Sequence, residues 1–261
     1  HFQYRDEEEW EPMLIGRLRN DTSVKVREAA AYGLGGADSS NAIPLLTMAL
    51  AHDTAREVRG EAARALVRIM GTNALPLLAT AFRDEADPEV RKMVLSAHGW
   101  LPNEHIDVPF LVRVLGTDLD ERVRAEAASA LHSTNAPAAV AALMQALTND
   151  VSPQVRENAV QSLAPLKGEE TISALLTAVR VDTNDNVRKE AACALRDLQR
   201  ADVMSNLVAV LQSETNTAVR GAVSSTLASF HRSGLVTILQ GVLGGDRYGS
   251  GQSSMLVTRP L

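Results

Sequence analysis

The sequence predicts an all-α fold, a solenoid of about seven to eight two-helix repeats, and three observations support this prediction. A Val-Arg pair recurs seven times at intervals of 32 or 33 residues. An acidic residue precedes each Val by five positions, and a small apolar residue follows it by four. A fixed period of this size is typical of repeat proteins, in which each repeat packs only on its neighbours. The pairs begin at Val26, Val58, Val90, Val123, Val155, Val187 and Val219.

The first half of each repeat is predicted to be a helix. A leucine recurs at one position of every repeat, and a second apolar residue stands four positions later, as Leu46 and Leu50 show. This spacing places both residues on one helical face. Pro44, Pro76 and Pro109 stand at the start of three of these helices, where the missing N–H of proline costs nothing.

A tight acidic turn and a second helix are predicted to follow. Apolar or small residues stand 0, 4, 7 and 8 positions after the Val, on one helical stripe. In the second repeat they are Val58, Ala62, Ala65 and Leu66. Position 8 is Leu in every repeat except the third, which has His98. The small residues predict close approach of a neighbouring helix, toward the short end of the roughly 8–10 Å range of axial distances.

The acid and the arginine of each repeat predict a ladder of ion pairs. The acid lies at the turn before the second helix, where its oxygens can cap free N–H groups. The arginine can reach an acid of its own or of an adjacent repeat. Phosphate binding by the arginines is a weaker alternative, because an equal number of acids accompanies them. The predicted ladder residues are Asp21, Arg27, Asp53, Arg59, Arg91, Asp118, Arg124, Asp150, Arg156, Asp182, Arg188 and Arg220.

This pattern resembles the HEAT repeats, and most of all the subclass first recognised in phycobilisome lyases. Residues 53–66 read Asp-Thr-Ala-Arg-Glu-Val-Arg-Gly-Glu-Ala-Ala-Arg-Ala-Leu, close to the subclass pattern Asp-x-x-x-x-Val-Arg-x-x-Ala-Ala-x-Ala-Leu, and residues 118–131 and 182–195 also match it. The resemblance covers about residues 11–243. It implies a right-handed α-solenoid that binds partners along its concave side, in a family whose members share architecture more than activity.

Composition narrows the classes of function. The chain has 261 residues, of which 45% are hydrophobic and 3% aromatic, enough for an ample aliphatic core. A net charge of −6 disfavours nonspecific binding to nucleic acids or anionic membranes. No apolar run approaches the roughly 20 residues that span a bilayer, and no secretory signal is recognised. The single cysteine, Cys193, excludes an intrachain disulfide and favours a reducing compartment, so we expect a cytoplasmic protein.

We predict one solenoid domain over residues 1–243, with an incomplete first repeat over 1–20. Three residues of this first segment stand in register with the later repeats: Pro12, Leu14 and Leu18. Residues 244–261 are predicted to be a flexible Gly/Ser-rich tail. Its apolar end, residues 255–261, is expected to dock on the last repeat or on a partner, with a truncated edge as the alternative.

The sequence predicts no catalytic residues, no metal site and no cofactor. No two histidines lie three or four residues apart, and no His-Glu-x-x-His motif occurs. The iron-binding HEAT hydroxylases, which this chain resembles, depend on His-Glu dipeptides, and the sequence contains none. His98, Glu104 and His105 are expected to gather around one loop, where ordinary loop histidines are favoured over a metal site. Cys193 has no histidine within a helical turn to activate its thiol.

The second helix of each repeat is expected to provide a partner-binding surface, since this helix lines the concave side in solenoids of the family. Positions 2, 3, 6, 9 and 10 after the Val, including that of Glu61, are then expected to face outward. Acids and bases mix there, unlike the basic track that a nucleic acid needs. The predicted partner-binding residues are Tyr32, Arg64, Arg68, Met93, Trp100, Glu126, His132, Gln161 and Arg196.

The third repeat departs most from the pattern, since larger or polar residues occupy its helix: Met93, Val94, Leu95, His98, Gly99 and Trp100. An enlarged core with a one-residue loop insertion is the simpler interpretation. The alternative is a partner contact centred on Tyr32, Arg64, Met93 and Trp100, because exposed Trp and Arg are common interface anchors.

The leading hypothesis is a non-enzymatic scaffold or adaptor that binds a partner protein or peptide along its concave surface, within a larger complex. Nucleic acids and membranes are not expected partners. The alternative, which follows from the subclass resemblance, is a phycobilin lyase or isomerase subunit that holds a bilin together with its acceptor protein.

Overall fold

The structure is a computed structural model, and it describes residues 7–37, 39–101, 106–132, 134–196, 198 and 200–230. These residues form fourteen α-helices and contain no β-strand. The helices are α1 Glu7–Asn20, α2 Val24–Gly36, α3 Ile43–His52, α4 Arg56–Met70, α5 Leu75–Asp84, α6 Pro88–His98, α7 Val108–Thr117, α8 Glu121–Ala130, α9 Pro137–Asn149, α10 Pro153–Leu163, α11 Glu169–Val181, α12 Asp185–Ala194, α13 Ala201–Ser213 and α14 Thr217–Ser229.

The helices alternate in two roles, which confirms the predicted all-α solenoid. We call the odd-numbered helices A helices and the even-numbered ones B helices, and each repeat is an A helix, an acidic turn and a B helix. The chain divides into two compact units, His1–Ala174 and Leu175–Leu261, with the boundary inside α11. In the first unit, the B helices α2, α4, α6, α8 and α10 pack one on the next. In the second unit, α12 packs on α14.

The first repeat has both of its helices, so the prediction of an incomplete repeat over residues 1–20 is wrong. Helix α1 packs on α2 in the same way as α3 packs on α4. Leu18 of α1 is buried. The acidic turn at Asp21 joins the two helices in the usual register. The predicted tail over residues 244–261, with its apolar end, lies outside the described residues.

The core follows the predicted Val-Arg period. The Val of the pair is fully buried in the six later repeats, from Val58 to Val219. Val26, in the first repeat, is exposed because no B helix precedes α2 in the described chain. Periodicity therefore predicts which residues face a neighbouring helix, but an end repeat has one neighbour fewer.

One stretch, Arg56–Asp84, has the length and composition of a membrane-spanning helix, with a mean hydropathy of 1.4. In the structure it comprises α4, a 3-10 helix over Gly71–Ala74 and α5. Gly71 has a φ of 56°, and Ala65 and Leu66 are fully buried between neighbouring helices. Because the chain is divided at Gly71 into two helices, we interpret this stretch as the junction of two repeats.

His98 is part of the core, which corrects the prediction of a loop histidine. It is the last residue of α6 and is only 1% exposed, in the column that holds Leu in the other repeats. Its ring stacks on Phe110 at 5.4 Å between centroids, and Phe110 meets Phe82 edge-on at 5.2 Å. Burial lowers the pKa of His98. Glu104 and His105, the other members of the predicted histidine cluster, lie outside the described residues.

Arginine–carboxylate pairs connect successive repeats at the turns. Arg27 donates from Nε and Nη2 to the Asp53 carboxylate at 2.8 Å each, and from Nη1 to the backbone oxygen of Asp21 at 3.0 Å. Equivalent inter-repeat pairs join Arg59 to Glu85, Arg91 to Asp118, Arg124 to Asp150 and Arg188 to Glu214. Each arginine therefore holds its own turn and the acid of the following repeat.

Arg156 and Arg188 bind their own turns as Arg27 does, since they donate to the backbone oxygens of Asp150 and Asp182, each at 2.9 Å. The two ends of the ladder differ. Asp21, which precedes the first ladder arginine, pairs with Arg17 at 3.1 Å. Arg220, in the last described repeat, is exposed.

The ladder acids close the turns, although not at the helix N–H groups that the sequence suggested. The Asp53 carboxylate accepts a hydrogen bond from the N–H of Ala55, the residue just before α4, at 2.8 Å. The N–H groups inside the first helical turn are capped elsewhere, as by Asn184, which accepts from Asn186 and Val187. Burial opposes the ionisation of Asp53, but the hydrogen bonds from Arg27 and Ala55 outweigh it and lower its pKa.

Candidate partner-binding surface

The side chain of Arg68 lies against two aromatic rings from the neighbouring B helices. Its Cζ atom is 4.7 Å from the ring centroid of Tyr32 on α2 and 4.6 Å from that of Trp100, which follows α6. Its Nη1 also donates to the backbone oxygen of Tyr32 at 3.4 Å. The two rings remain 61% and 49% exposed. Three repeats thus build one exposed aromatic–cation cluster, which we call the Tyr32–Arg68–Trp100 cluster.

Glu61 anchors two arginines beneath this cluster. Its carboxylate accepts from Arg64 Nη1 and from Arg68 Nη2, at 3.1 Å each. The sequence reading placed Glu61 among outward-facing acids, and this is wrong, because the residue is buried. Two guanidinium groups compensate its charge, which is the condition under which a carboxylate tolerates burial. Glu61 therefore fixes the positions of Arg64 and Arg68 on α4.

Two glycines allow the B helices to bring these side chains together. A Cβ atom added to Gly35 on α2 would lie 2.7 Å from the Cα of Ala65 and 3.1 Å from Arg68 Nη1. A Cβ atom added to Gly60 on α4 would overlap the sulfur of Met93 on α6. Both glycines lie inside helices, where a glycine is itself a signal of close packing.

Met93 and Glu126 extend the surface toward α8. Met93 is partly buried over Gly60, so it packs between helices instead of projecting freely. Burial raises the pKa of Glu126, while the charges of Lys92 and Arg64 oppose that shift. The structure thus gathers six of the nine predicted partner-binding residues around α4 and α6: Tyr32, Arg64, Arg68, Met93, Trp100 and Glu126.

The other three predicted residues are not part of this cluster. His132, after α8, and Gln161, on α10, are exposed. Within the described ranges, neither makes a hydrogen bond, ion pair or ring contact to the Tyr32–Arg68–Trp100 cluster. Arg196 belongs to the second compact unit, where its Nη2 donates to Ser225 Oγ at 3.4 Å. The nine predicted residues were chosen by their positions on the B helices, but those positions alone do not bring His132, Gln161 and Arg196 into the cluster.

A second exposed surface lies at the turns and was not predicted. Leu119 and Val151 follow the ladder acids of consecutive repeats, and both side chains are almost fully exposed. They line an open groove of about 470 Å³ together with Val112 and the ladder pair Arg124 and Asp150. The sequence contains a signal for this surface. The residue after the ladder acid is Leu or Val in these two repeats, whereas it is Thr or Ala in the other repeats.

The described residues offer no cluster of three or more His, Cys, Asp or Glu side chains that could hold a metal ion. Cys193 is partly exposed on α12. The Tyr32–Arg68–Trp100 cluster itself supplies ring faces and hydrogen-bond donors, which suit binding.

Comparison with known sequences gives one family. The sequence pattern that defines HEAT repeats matches residues 11–99, 79–164, 108–196 and 140–228, which overlap and together span residues 11–228. No curated protein matches the chain in sequence.

Three solved structures are similar to this chain. The Escherichia coli protein YibA is 18% identical over 84% of this chain and 81% of its own, with a TM-score of 0.55. Human deoxyhypusine hydroxylase, in complex with glycerol, is 26% identical over 83% of each chain, with a TM-score of 0.43. The CpcE–CpcF complex of phycocyanin lyase from Nostoc sp. is 20% identical over 85% of this chain and 94% of its own, with a TM-score of 0.45. The likeness to YibA supports the fold and nothing further.

Proposed function

Because this chain belongs to the HEAT-repeat family, we propose that it is a scaffold whose B-helix surface binds a partner protein or peptide. The observation that supports the proposal is the exposed Tyr32–Arg68–Trp100 cluster. Trp, Tyr and Arg are the residue types most enriched at the energetic centres of protein interfaces. Arg68 is already held by two rings and by Glu61, so binding costs it little further side-chain entropy.

The proposed role is binding without catalysis, in the cytoplasm. The cluster pairs no nucleophile with a base: Arg64 and Arg68 are bonded to Glu61, and the nearby Glu126 faces cations. The single cysteine supports a reducing compartment.

The test compares Trp100→Ala with Met48→Ala, two truncations of similarly exposed side chains on different helix sets. Met48 is 57% exposed and lies on the A helix α3. Each immobilised variant captures proteins from a lysate of the source organism, and mass spectrometry quantifies the proteins retained. We expect the wild-type chain and Met48→Ala to retain a common partner, and Trp100→Ala to lose it about tenfold or more.

Circular dichroism melting checks that both variants fold equally well. If Trp100→Ala retains the partner as well as Met48→Ala does, the Tyr32–Arg68–Trp100 cluster is not the binding site. An absorbance scan of the eluate adds a second criterion, since a bound bilin would absorb visible light and favour the lyase alternative.

A further inference from the structure

We infer that the groove at the ends of α7 and α9 is a second docking site, which takes a basic segment of a partner protein in which aliphatic residues stand beside lysine or arginine. We call it the turn groove, and it is lined by Val112, Leu119 and Val151 and by the ladder pair Arg124 and Asp150. This inference is independent of the Tyr32–Arg68–Trp100 cluster. It rests on exposed aliphatic side chains, on two helix ends that carry no basic residue, and on the charge beside the groove.

Two aliphatic side chains of the turn groove are exposed in consecutive repeats. Leu119 is 96% exposed and Val151 is 87% exposed. The equivalent residues of the other repeats are smaller or carry a hydroxyl group: Thr22, Thr54, Ala86, Thr183 and Thr215. Burial of leucine and valine is favourable, and apolar side chains that share one exposed surface mark sites of interaction. A partner that covers both side chains therefore gains from their removal from water.

The C-terminal ends of two A helices meet at the turn groove. Gly116 and Thr117 of α7 and Asn149 of α9 all line it. The last carbonyl groups of a helix have no partner within the helix and carry partial negative charge, which a nearby cation stabilises. These two helix ends therefore favour a cation in the groove.

Neither of these two helices supplies that cation itself, because α7 and α9 have no basic residue in their last turns. Four other A helices have one at this place: Arg19 in α1, His52 in α3, Arg83 in α5 and Arg180 in α11. Helix α13 also lacks one, but the turn after it holds Thr215 instead of an aliphatic residue. The exposed aliphatic pair and the missing cations thus occur together at the turn groove.

The charged side chains at the turn groove leave an excess of negative charge. Arg124 binds Asp150, and Asp118, which also lines the groove, binds Arg91. Glu121, two residues after Leu119, is exposed and forms no ion pair with any residue that the structure describes. A lysine or arginine of the partner is attracted by this carboxylate and by the two helix ends, whereas an acidic segment is repelled. Charge complementarity therefore selects a basic partner, and the exposed side chains select an aliphatic one.

The test uses three peptides that differ in one property at a time. The probe is Ala-Ala-Lys-Leu-Ala-Ala-Lys-Leu-Ala-Ala-Lys-Leu-amide. One control replaces every lysine of the probe by glutamate, and the other replaces every leucine by serine. Each peptide carries fluorescein at its N terminus, and its binding to the full chain is measured by fluorescence anisotropy.

We expect the probe to bind at least about fivefold more tightly than either control, because each control lacks one of the two properties. Leu119→Thr and Val151→Thr should each weaken the probe by about fivefold, since each removes one aliphatic contact. Threonine is the usual residue at this position, so both variants should fold, which circular dichroism melting checks. Met48→Ala is the matched control, because Met48 is an exposed apolar residue on α3 and does not line the turn groove. This variant should bind the probe as the wild-type chain does.

Equal binding of the probe and the serine control overturns the inference, because the net charge of −6 alone would then attract the peptides. The same conclusion follows if Leu119→Thr and Val151→Thr bind the probe as tightly as Met48→Ala does, or if the probe does not bind. Tighter binding of the glutamate control overturns the basic character of the partner. Analytical ultracentrifugation without peptide tests a second copy of this chain as the occupant: a dimer of the wild-type chain that Leu119→Thr dissociates would overturn the inference in favour of self-association.

Discussion

At five ladder positions a single arginine side chain binds two successive repeats: Arg27, Arg59, Arg91, Arg124 and Arg188. In the repeat of Arg124, Nε and Nη2 bind the Asp150 carboxylate of the next repeat, at 2.7 and 2.9 Å, while Nη1 donates to the backbone oxygen of Asp118 at 3.0 Å. The planar guanidinium suits this paired geometry, and a lysine ammonium does not reproduce it. The ladder side chains between repeats are only 7% to 16% exposed, so each partner depends on the other for compensation of its charge.

Arg124→Ala is therefore expected to destabilise the chain by about 3 kcal/mol, the lower end of the effect of breaking a buried ion pair. The loss arises because Asp150 stays buried without its partner. The free energy of unfolding is measured by urea denaturation. Arg122→Ala is the matched control: Arg122 is two residues away, pairs with Asp120 and Glu89, and is 51% exposed. Equal losses in the two variants would mean that the ladder adds no more stability than a surface ion pair.

The B helices pack closely because their contact positions are small. Gly35 on α2 meets the backbone of α4 at Ala65, and Gly60 on α4 lies under Met93 of α6. Close contact of α2 with α4 also carries Arg68 to the backbone oxygen of Tyr32. The same helix spacing that stabilises the stack therefore builds the Tyr32–Arg68–Trp100 cluster.

Gly35→Ala tests this packing against Gly36→Ala, its neighbour on the same helix. The new methyl group at position 35 meets backbone atoms that cannot rotate away, so we expect a loss of about 1–3 kcal/mol in the free energy of unfolding. At Gly36 nothing lies within 4 Å of the added Cβ, and alanine favours a helix by up to about 1 kcal/mol. Urea denaturation of both variants gives the comparison. The packing argument fails if Gly35→Ala is as stable as Gly36→Ala.

Across the whole described chain, periodicity predicts the contacts that every repeat makes alike. It gave the two-helix repeat and the buried Val column, because both depend on nearest-neighbour packing that recurs. It left open whether a ladder arginine binds its own acid or the next one, since both lie within reach of the side chain. It missed Glu61 and the stacking of Arg68, because these depend on side chains that differ between three adjacent repeats. The departures from the repeat therefore require the structure.

The stability of the whole molecule is expected to depend on pH in two separate ranges. Burial lowers the pKa of His98 below its ordinary value near 6.5, so the unfolded chain binds more protons just below that pH. The contribution of neutral His98 to the free energy of unfolding is fully present above about pH 6.5 and is lost as the pH falls. Asp53, Asp150 and Glu214 also have lowered pKa values, because bonds from ladder arginines outweigh their burial. Their contribution is present above about pH 4 and is lost below it.

His98→Leu separates the two ranges, because leucine is the residue of this column in the other repeats. Between about pH 7 and 5, we expect the free energy of unfolding to fall in the wild-type chain, by at most about 1.4 kcal/mol per pH unit for one proton, and to fall less steeply in the variant. Below about pH 4 the two curves should fall in parallel, since the ladder is intact in both. Glu126, whose pKa is raised, acts in the opposite direction above about pH 4, but it is present in both chains and cancels in the comparison. Parallel curves over the entire range would mean that folding does not lower the pKa of His98.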